Sequence, residues 1–202
     1  YARGSTDTEV HLTAIAVGDE TWQPPPLVPE GGPLVAPAEL ARDFGWIVWR
    51  YDFALPRQRG GASYAMEDRT WRGQTDPSPA ALRIAYTACN GKEHDDLFDP
   101  HPERNAVWRK LLADHRENPF ALLLQGGDQL YADNVWNCHD ELRRWDHESD
   151  ATRLTRDLSD EARRAVRRFY WSAYITLWGQ ADLAPLLAEV PSLMMWDDHD
   201  IF

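Results

Sequence analysis

A carboxylate and a phenol follow a short apolar segment in the middle of the chain. Residues 120–124 (FALLL) are apolar without interruption, and Gly126 and Gly127 end the segment. Such a run is typical of a buried strand in a parallel sheet, and open α/β sheets bind their ligands at the carboxyl edge. Asp128 and Tyr131 come next, and their oxygens suit a hard cation. A turn with a capping aspartate is the alternative interpretation of this segment.

Two further apolar segments also end in side chains that could bind a metal. Leu82–Ala88 is followed by Cys89 and Asn90. Ser192–Trp196, which is predicted to be a third buried strand, is followed by the acidic run 197–200 (DDHD). Each has an ordinary interpretation, because a cysteine after a strand is commonly a small buried residue and an acidic run is commonly a solvated turn. Parallel strands would bring all three ends to one sheet edge, where clustered carboxylates repel each other unless a cation neutralises them. The repetition therefore predicts a metal site.

Helical periodicity fills the connections between these strands. A helix is predicted from Pro102 to about His115, and its apolar face is expected to contain Val107, Trp108, Leu111, Leu112 and His115. A second helix is predicted over Asp160–Trp178, with an apolar stripe opposite its arginines, and a short third one over Ala181–Glu189. A strand, a helix and a strand in this order predict a right-handed parallel crossover. Residues 134–158 are interpreted as an excursion over the sheet edge.

The first 80 residues are predicted to form a small β-rich domain. Trp46–Leu55 alternates between apolar and polar side chains, as an antiparallel strand with one buried face does. Val10–Val17 and Ala62–Arg72 are further strand candidates, and the proline- and glycine-rich residues 23–37 are expected to be a loop. The predicted organisation is therefore a β-rich domain at 1–80 and an α/β domain at 81–202.

Composition excludes several classes of protein. The 202 residues carry a net charge of -12, which argues against a nucleic-acid-binding surface. No apolar run approaches the roughly 18 residues of a membrane span. The two cysteines do not make a disulfide framework. The two cysteines and the lack of a recognisable signal segment predict a cytoplasmic location. Export is the alternative if a preceding segment is missing.

The motifs resemble those of a known enzyme family. GDQLYAD at 127–133 resembles the GDxxY form of the second motif of calcineurin-like metallophosphatases. DDHD at 197–200 stands where most of that superfamily has GNH[DE], and Cys89 stands where it has the first Asp of Asp-x-His or Asp-x-Gly. Together the motifs look like the PhoD-like alkaline phosphatase/phosphodiesterase family over about residues 85–202. The resemblance implies a metallophosphatase-type layered sheet core, and a β-rich segment before it also fits.

The resemblance implies a role for each motif residue. Asp128 would bridge two metal ions, and Tyr131 and Cys89 would bind ferric iron. Asp198 would take the place of a metal-binding asparagine. His199 would be the catalytic residue that stabilises or protonates the leaving group. Weaker candidates around these ligands are Asn90, Asp133, Asp197 and Asp200.

The implied cofactors are Fe³⁺ and Ca²⁺, or another divalent ion such as Mn²⁺, Zn²⁺ or Mg²⁺. Two cations bridged by a carboxylate lower the pKa of a bound water, so that a metal-bound hydroxide could attack a phosphate monoester or diester. Because a free phenol has a pKa of about 10, Tyr131 as a ligand favours ferric iron over magnesium. The expected partner is thus a small-molecule phosphate ester.

The superfamily's later histidine motifs, such as GHxH, do not occur in this sequence. The sequence begins at Tyr1 rather than Met and ends directly after the acidic run, so we expect a further C-terminal segment to complete the sheet core and the site. A truncated or non-catalytic metal-binding module is the alternative function. His94 and His101 flank an acidic loop and are interpreted as ordinary residues rather than ligands.

Overall fold

The computed structural model describes residues 1–91 and 103–201 of a mixed α/β protein. Contacts divide the chain into two compact units. The first unit contains Tyr1–Thr87, Asn105–Gln125 and Ala181–Met194. The second contains the described residues within Ala88–Arg104, Gly126–Gln180 and Met195–Phe202. The domain boundary near residue 80 stays a prediction.

The strands of the described residues all lie in the first unit. In chain order they are β1 (Ala2–Ser5), β2 (Glu9–Asp19), β3 (Val28–Pro29), β4 (Ala38–Asp43), β5 (Trp46–Pro56), β6 (Ala62–Met66), β7 (Arg69–Gly73), β8 (Ile84–Thr87), β9 (Leu122–Gln125) and β10 (Ser192–Met194).

The α-helices of the described residues are α1 (Ala106–Glu117), α2 (Asp140–Asp146), α3 (Asp150–Arg153), α4 (Asp160–Trp178) and α5 (Ala184–Glu189). Short 3₁₀ helices occupy Pro79–Ala81, Asp133–Asn137 and Asp198–Asp200. Within residues 1–91 and 103–201, none of the helices combines the length and the apolarity that a bilayer span requires.

An antiparallel sheet with the order β1-β2-β5-β4 forms the largest part of the first unit. β2 and β5 pair along their whole length, from Glu9 opposite Pro56 to Asp19 opposite Trp46. The alternation in β5 has the predicted effect. Ile47 and every second residue after it are buried, except for Trp49, which is partly buried. The two strand predictions at 10–17 and 46–55 are confirmed. β1 and β4 lack an apolar alternation, which is why the sequence did not reveal them.

A second sheet, with the order β3-β6-β7, corrects two expectations. Residues 62–72 are a hairpin rather than one strand, because Glu67 adopts a left-handed backbone (φ 53°) and turns the chain. Residues 23–37 are not wholly a loop, since Val28 and Pro29 pair with β6. The core of these sheets is a cluster of buried apolar side chains, formed by Leu12, Leu27, Tyr51, Phe53, Leu55, Ala62 and Tyr64.

A parallel sheet with the order β10-β9-β8 confirms that the strands of the predicted crossover are parallel, and its right-handedness stays a prediction. Its strands are shorter than the apolar runs that predicted them. Leu123 in the central strand β9 is fully buried. The expectation that β10 is buried is wrong, since Leu193 and Met194 are exposed and β10 pairs with β9 alone among the described strands.

The first helix begins later than predicted. Pro102 lies outside the described residues, residues 103–105 form a turn, and α1 begins at Ala106. Trp108, Leu112 and His115 are buried on its inner face. Val107 is 74% exposed, because it precedes Trp108 by one residue and therefore points about 100° away from the buried stripe.

Helix α4 dominates the second unit and has the bounds that its periodicity predicts. Ala162, Ala173 and Leu177 are buried on its apolar stripe, while Arg163 and Arg167 are exposed. The predicted excursion at 134–158 contains α2, α3 and most of a 3₁₀ helix. The third predicted helix, α5 in the first unit, begins three residues late at Ala184, with a proline in its first turn.

Candidate metal centre

Three segments of the second unit supply the candidate ligands. Cys89 and Asn90 follow β8 in the chain, residues 127–133 follow β9, and residues 197–200 follow β10. The structure brings these segments together, although up to 71 residues separate atoms that contact each other. The clustering that the strand ends predicted is thus observed within this unit.

Asp128 lies at the middle of the cluster and is buried. Its Oδ2 lies 3.4 Å from the Cys89 thiol Sγ, which donates to it. Its Oδ1 accepts a hydrogen bond of 3.3 Å from the backbone N–H of His199. Its carbonyl oxygen accepts one of 2.7 Å from the N–H of Asn90. Asp128, which belongs to the second segment, therefore contacts both of the other two.

The carboxylates of Asp128, Asp197 and Asp198 are close enough to share a cation. One oxygen from each lies within 4.8 Å of the other two. Negative charges at this separation repel each other, and a hard cation takes oxygen ligands in such an arrangement. The donor set therefore fits a hard metal ion. The structure adds Asp197 to the carboxylates that sequence reasoning put first.

Tyr131 packs flat against His199, with ring centroids 4.4 Å apart and an angle of 22° between the planes. Gly91 makes room for the phenol ring, because a Cβ there would lie 3.0 Å from Tyr131 Cδ2. Burial, then a hydrogen bond with Cys89, then the charges of neighbouring groups including Asp128, raise the pKa of Tyr131 to about 12. The phenol, the thiol and the central carboxylate thus form one contacting group.

His199 is paired with Asp133. Its Nδ1 lies 3.3 Å from Asp133 Oδ2, which leaves Nε2 as the other polar atom of the ring. Burial opposes protonation of the ring, but the charge of Asp133 and its hydrogen bond, with Asp198 and Asp128, raise the pKa of His199. The backbone of His199 is also held, since its carbonyl oxygen accepts from the N–H of Ala132 at 3.0 Å. Asp133 therefore orients this histidine.

Asp197 and Asp200 cap the 3₁₀ helix that carries Asp198 and His199. The Asp197 side chain accepts from the N–H of Asp198 at 3.0 Å. Asp197 and Asp200 also form a reciprocal capping box, in which the side chain of each accepts from the backbone N–H of the other. Asp200 is about 1% exposed. It also accepts from the N–H of Leu130 in the preceding ligand segment.

Gln129 is a residue of the site that sequence reasoning missed. It is buried, and its Nε2 donates to the backbone carbonyl oxygen of Met195 at 3.1 Å. The backbone carbonyl oxygen of Gln129 accepts from Asn90 Nδ2 at 3.2 Å. A polar glutamine directly after Asp128, in the loop that follows a strand, was the sequence feature that could have identified it. Asn90 thus acts here as a contact between two segments.

The backbone is strained at two of the candidate ligands. Cys89 has a φ of 58° and Asp128 a φ of 52°, in the left-handed region that residues other than glycine rarely adopt. Such conformations persist only where the surrounding structure enforces them, and they concentrate at functional sites.

Two histidines away from the cluster make structural contacts. His139 caps α2 by accepting from the N–H of Glu141, and His115 accepts from the N–H of Phe120. His94 and His101 lie outside the described residues.

Comparison with known proteins identifies the chain's family. A family described as PhoD related phosphatase matches residues 102–202, which is half of the chain and includes Asp128 and the acidic run but not Cys89. The matched model defines a class of phosphatase-related proteins. More specifically, the chain belongs to the PhoD-related phosphatase family.

The chain is also similar to a distant relative. An uncharacterized protein of Saccharomyces cerevisiae is 28% identical over 133 residues, which are 58% of this chain but only 18% of the yeast protein. No solved structure matches the chain.

Proposed function

We propose that this chain contributes the metal centre of an enzyme that hydrolyses phosphate monoesters, phosphate diesters or both. One observation carries the proposal: three carboxylates within 4.8 Å of each other lie in the same unit as a phenol–thiol contact and a histidine–aspartate pair. The phosphatase family match supports the same reaction class. The resemblance to PhoD-like enzymes supports a metal-dependent mechanism.

The donor chemistry supports two different metal ions. Tyr131 and Cys89 would hold a trivalent ion such as Fe³⁺, because a phenol with a pKa of about 12 becomes a phenolate ligand at neutral pH only when it binds a strong Lewis acid. Asp198 would hold a divalent ion such as Ca²⁺ or Mn²⁺, and Asp128 would bridge the two. The carboxylate of Asp197 also caps the 3₁₀ helix through the N–H of Asp198, so this helix would orient it toward the ion that the three carboxylates share.

When bound, such ions would lower the pKa of a water molecule and neutralise charge on the phosphoryl oxygens. The chain's own contribution is to orient and to transfer a proton. His199 would donate a proton from Nε2 to the leaving alkoxide oxygen, while Asp133 keeps the other ring nitrogen oriented. The stacked ring of Tyr131 restricts rotation of the imidazole.

Elemental analysis with a visible absorption spectrum tests the metal site. We expect bound iron and a visible band that Tyr131→Phe weakens and shifts, because the phenolate contributes to the band beside the Cys89 thiolate. Tyr86→Phe is the matched control, since Tyr86 is exposed and belongs to the other unit. An iron-free chain, or a band that Tyr131→Phe leaves unchanged, would contradict the proposed ferric site.

Hydrolysis of p-nitrophenyl phosphate and of bis(p-nitrophenyl) phosphate tests turnover. Asp128→Asn should reduce both the metal content and the rate to background, because the bridging carboxylate is removed. His199→Gln should lower the rate for an alkyl ester such as glycerol phosphate more than for p-nitrophenyl phosphate, whose leaving group needs no proton, while the metal content is retained. A chain that binds metal but hydrolyses neither ester, even with its metals restored, would be a metal-binding module instead.

A further inference from the structure

Asp200 connects the two segments that carry the candidate carboxylate ligands. Its Oδ1 accepts from the backbone N–H of Leu130 at 2.9 Å, and its Oδ2 accepts from the N–H of Asp197 at 3.1 Å. The hydroxyl of Tyr174 lies 3.5 Å from Oδ1. Leu130 is two residues from Asp128, and Asp197 adjoins Asp198. One carboxylate therefore joins parts of the chain that are 70 residues apart in sequence.

These contacts use none of the oxygens that a cation would need. Another link between the same segments, from the N–H of His199 to Asp128 Oδ1, occupies an oxygen of the proposed bridging ligand. A cation bound to that oxygen would compete with this N–H. The two hydrogen bonds of Asp200 should persist with or without a bound cation, because their acceptor oxygens belong to Asp200 and not to a proposed metal ligand.

The position requires a carboxylate. Two N–H groups approach two different oxygens, and the side chain is about 1% exposed, so water cannot replace either partner. An amide has one acceptor oxygen and would leave one N–H unpaired, which is costly in a buried place.

The neighbouring backbone needs such support. Asp128 is held in a left-handed conformation, and Gly127 lies so close to Asp197 that a Cβ on it would be 2.5 Å from Asp197 Cβ. A strained conformation persists only when the surroundings determine it. A small separation of the two segments would change the distance between Asp128 and Asp198.

We propose that Asp200 is a positioning residue of the metal centre, which sets the spacing of Asp128 and Asp198 by holding the N–H groups of Leu130 and Asp197. The inference rests on the proposed function. Asp200 touches neither metal nor substrate in this role, and it acts through the two backbone segments.

Calorimetric titration of the chain with Mn²⁺ tests the proposal, together with the electron paramagnetic resonance spectrum of the bound ion. Asp200→Asn should weaken Mn²⁺ binding by about 10- to 100-fold and alter the spectrum, as changes to residues that orient metal ligands do.

Glu141→Gln is the matched control. Glu141 is a carboxylate of the same unit that also accepts from a backbone N–H, that of Ser159, away from the ligand segments. This variant should lower stability and leave the affinity for Mn²⁺ and the spectrum unchanged.

The outcomes separate this inference from the proposed function. An unsubstituted chain that binds no Mn²⁺ overturns the proposed function, and the positioning role with it. Mn²⁺ binding that Asp200→Asn leaves unchanged overturns the positioning role alone. Equal weakening in Asp200→Asn and Glu141→Gln, at equal loss of stability, also overturns it.

Hydrogen exchange on the unsubstituted chain gives a test that does not depend on the variant's folding. The amides of Leu130 and Asp197 should keep their protection when Ca²⁺ is added, because Asp200 holds them throughout. The amide of His199 should lose protection, because its acceptor is Asp128. Loss of protection at Leu130 and Asp197 would overturn the proposal.

Discussion

Gly127 shows how a single residue determines the geometry around Asp128. Its φ is 107°, which favours glycine, and Asp197 occupies the space where a side chain would lie. The glycine therefore permits both the turn after β9 and the close approach of the two acidic segments. This explains why a glycine precedes the central carboxylate.

Gly127→Ala should lower the free energy of unfolding by about 2–5 kcal/mol, from the left-handed backbone and the close contact together. Chemical denaturation measures it. Gly45→Ala is the control, because Gly45 has a φ of 83° and no heavy atom within 4 Å of the added Cβ, so about 1–2 kcal/mol is expected. Equal losses in the two variants would contradict a role for the contact with Asp197.

Helix α4 shows how side chains define an element. Ser159 precedes its first turn, and its Oγ accepts from the N–H of Ala162 at 3.2 Å. Glu141 of α2 accepts in turn from the Ser159 hydroxyl and N–H. Asp160 and Glu161 follow in the first turn, where their charges favour the positive end of the helix dipole.

Ser159→Ala should therefore destabilise the chain by about 1 kcal/mol, because an N-cap bond is lost. Thermal or urea unfolding measures the change. Ser149→Ala at the start of α3 is the matched control, since Ser149 makes no capping bond there and an effect within about 0.5 kcal/mol is expected. A comparable loss in both variants would show that the cap of α4 contributes little.

The connection from α1 to β9 depends on a neutral histidine. The N–H of Phe120 donates to His115 Nδ1 at 3.0 Å, so this nitrogen carries no proton. Glu189 lies 3.6 Å from Nε2, which suggests an ion pair. Burial, however, lowers the pKa of His115, helped by Arg116 and Arg83, and burial raises the pKa of Glu189 against Arg116. The hydrogen bond to Nδ1 decides for the neutral ring.

Stability should therefore fall as the pH falls below about 6.5, the ordinary pKa of histidine. The unfolded chain takes up a proton on His115 that the folded chain resists, so this contribution is complete above that pH and is lost towards the lowered folded pKa. The slope is at most about 1.4 kcal/mol per pH unit. His115→Asn should flatten the profile in this range, because asparagine keeps an acceptor and does not titrate. An unchanged slope in unfolding curves would contradict the argument.

Within the first unit, the N-terminal strands and the later α/β elements are joined. The hydroxyl of Tyr64 in β6 donates to the carbonyl oxygen of Ala188 in α5 at 2.6 Å. Gly73 at the end of β7 approaches the carbonyl oxygen of Glu189 so closely that a Cβ would lie 3.1 Å from it. We infer that the N-terminal strands support α5.

Tyr64→Phe should lower the free energy of unfolding by about 1–2 kcal/mol and speed amide exchange in α5, because a partly buried carbonyl loses its donor. Tyr51→Phe is the control, since its hydroxyl donates to Pro25, away from α5. It should cost a similar free energy without changing exchange in α5. Identical exchange in the two variants would show that the β-rich segment does not support this helix.

Periodicity and residue type were sufficient wherever a local pattern determines structure. The apolar stripe of α4 predicted both ends of the helix, and the alternation in β5 predicted which face of the strand is buried. The turn at Glu67 and the pairing of Val28–Pro29 were missed, because one depends on an unusual backbone angle and the other on a distant partner. The residues of the candidate site were visible as polar types at the ends of apolar runs.

The sequence alone therefore established the family resemblance, the parallel crossover and the order of the ligand segments, because these depend on residues close together in the chain. The partners within the site came from the fold. Asp133 faces His199 across 66 residues, and Asp200 holds Leu130 across 70. Asp197 joins Asp128 because Gly127 lets their segments touch. Such pairings depend on backbone path and on strain between distant segments, and no local pattern encodes either.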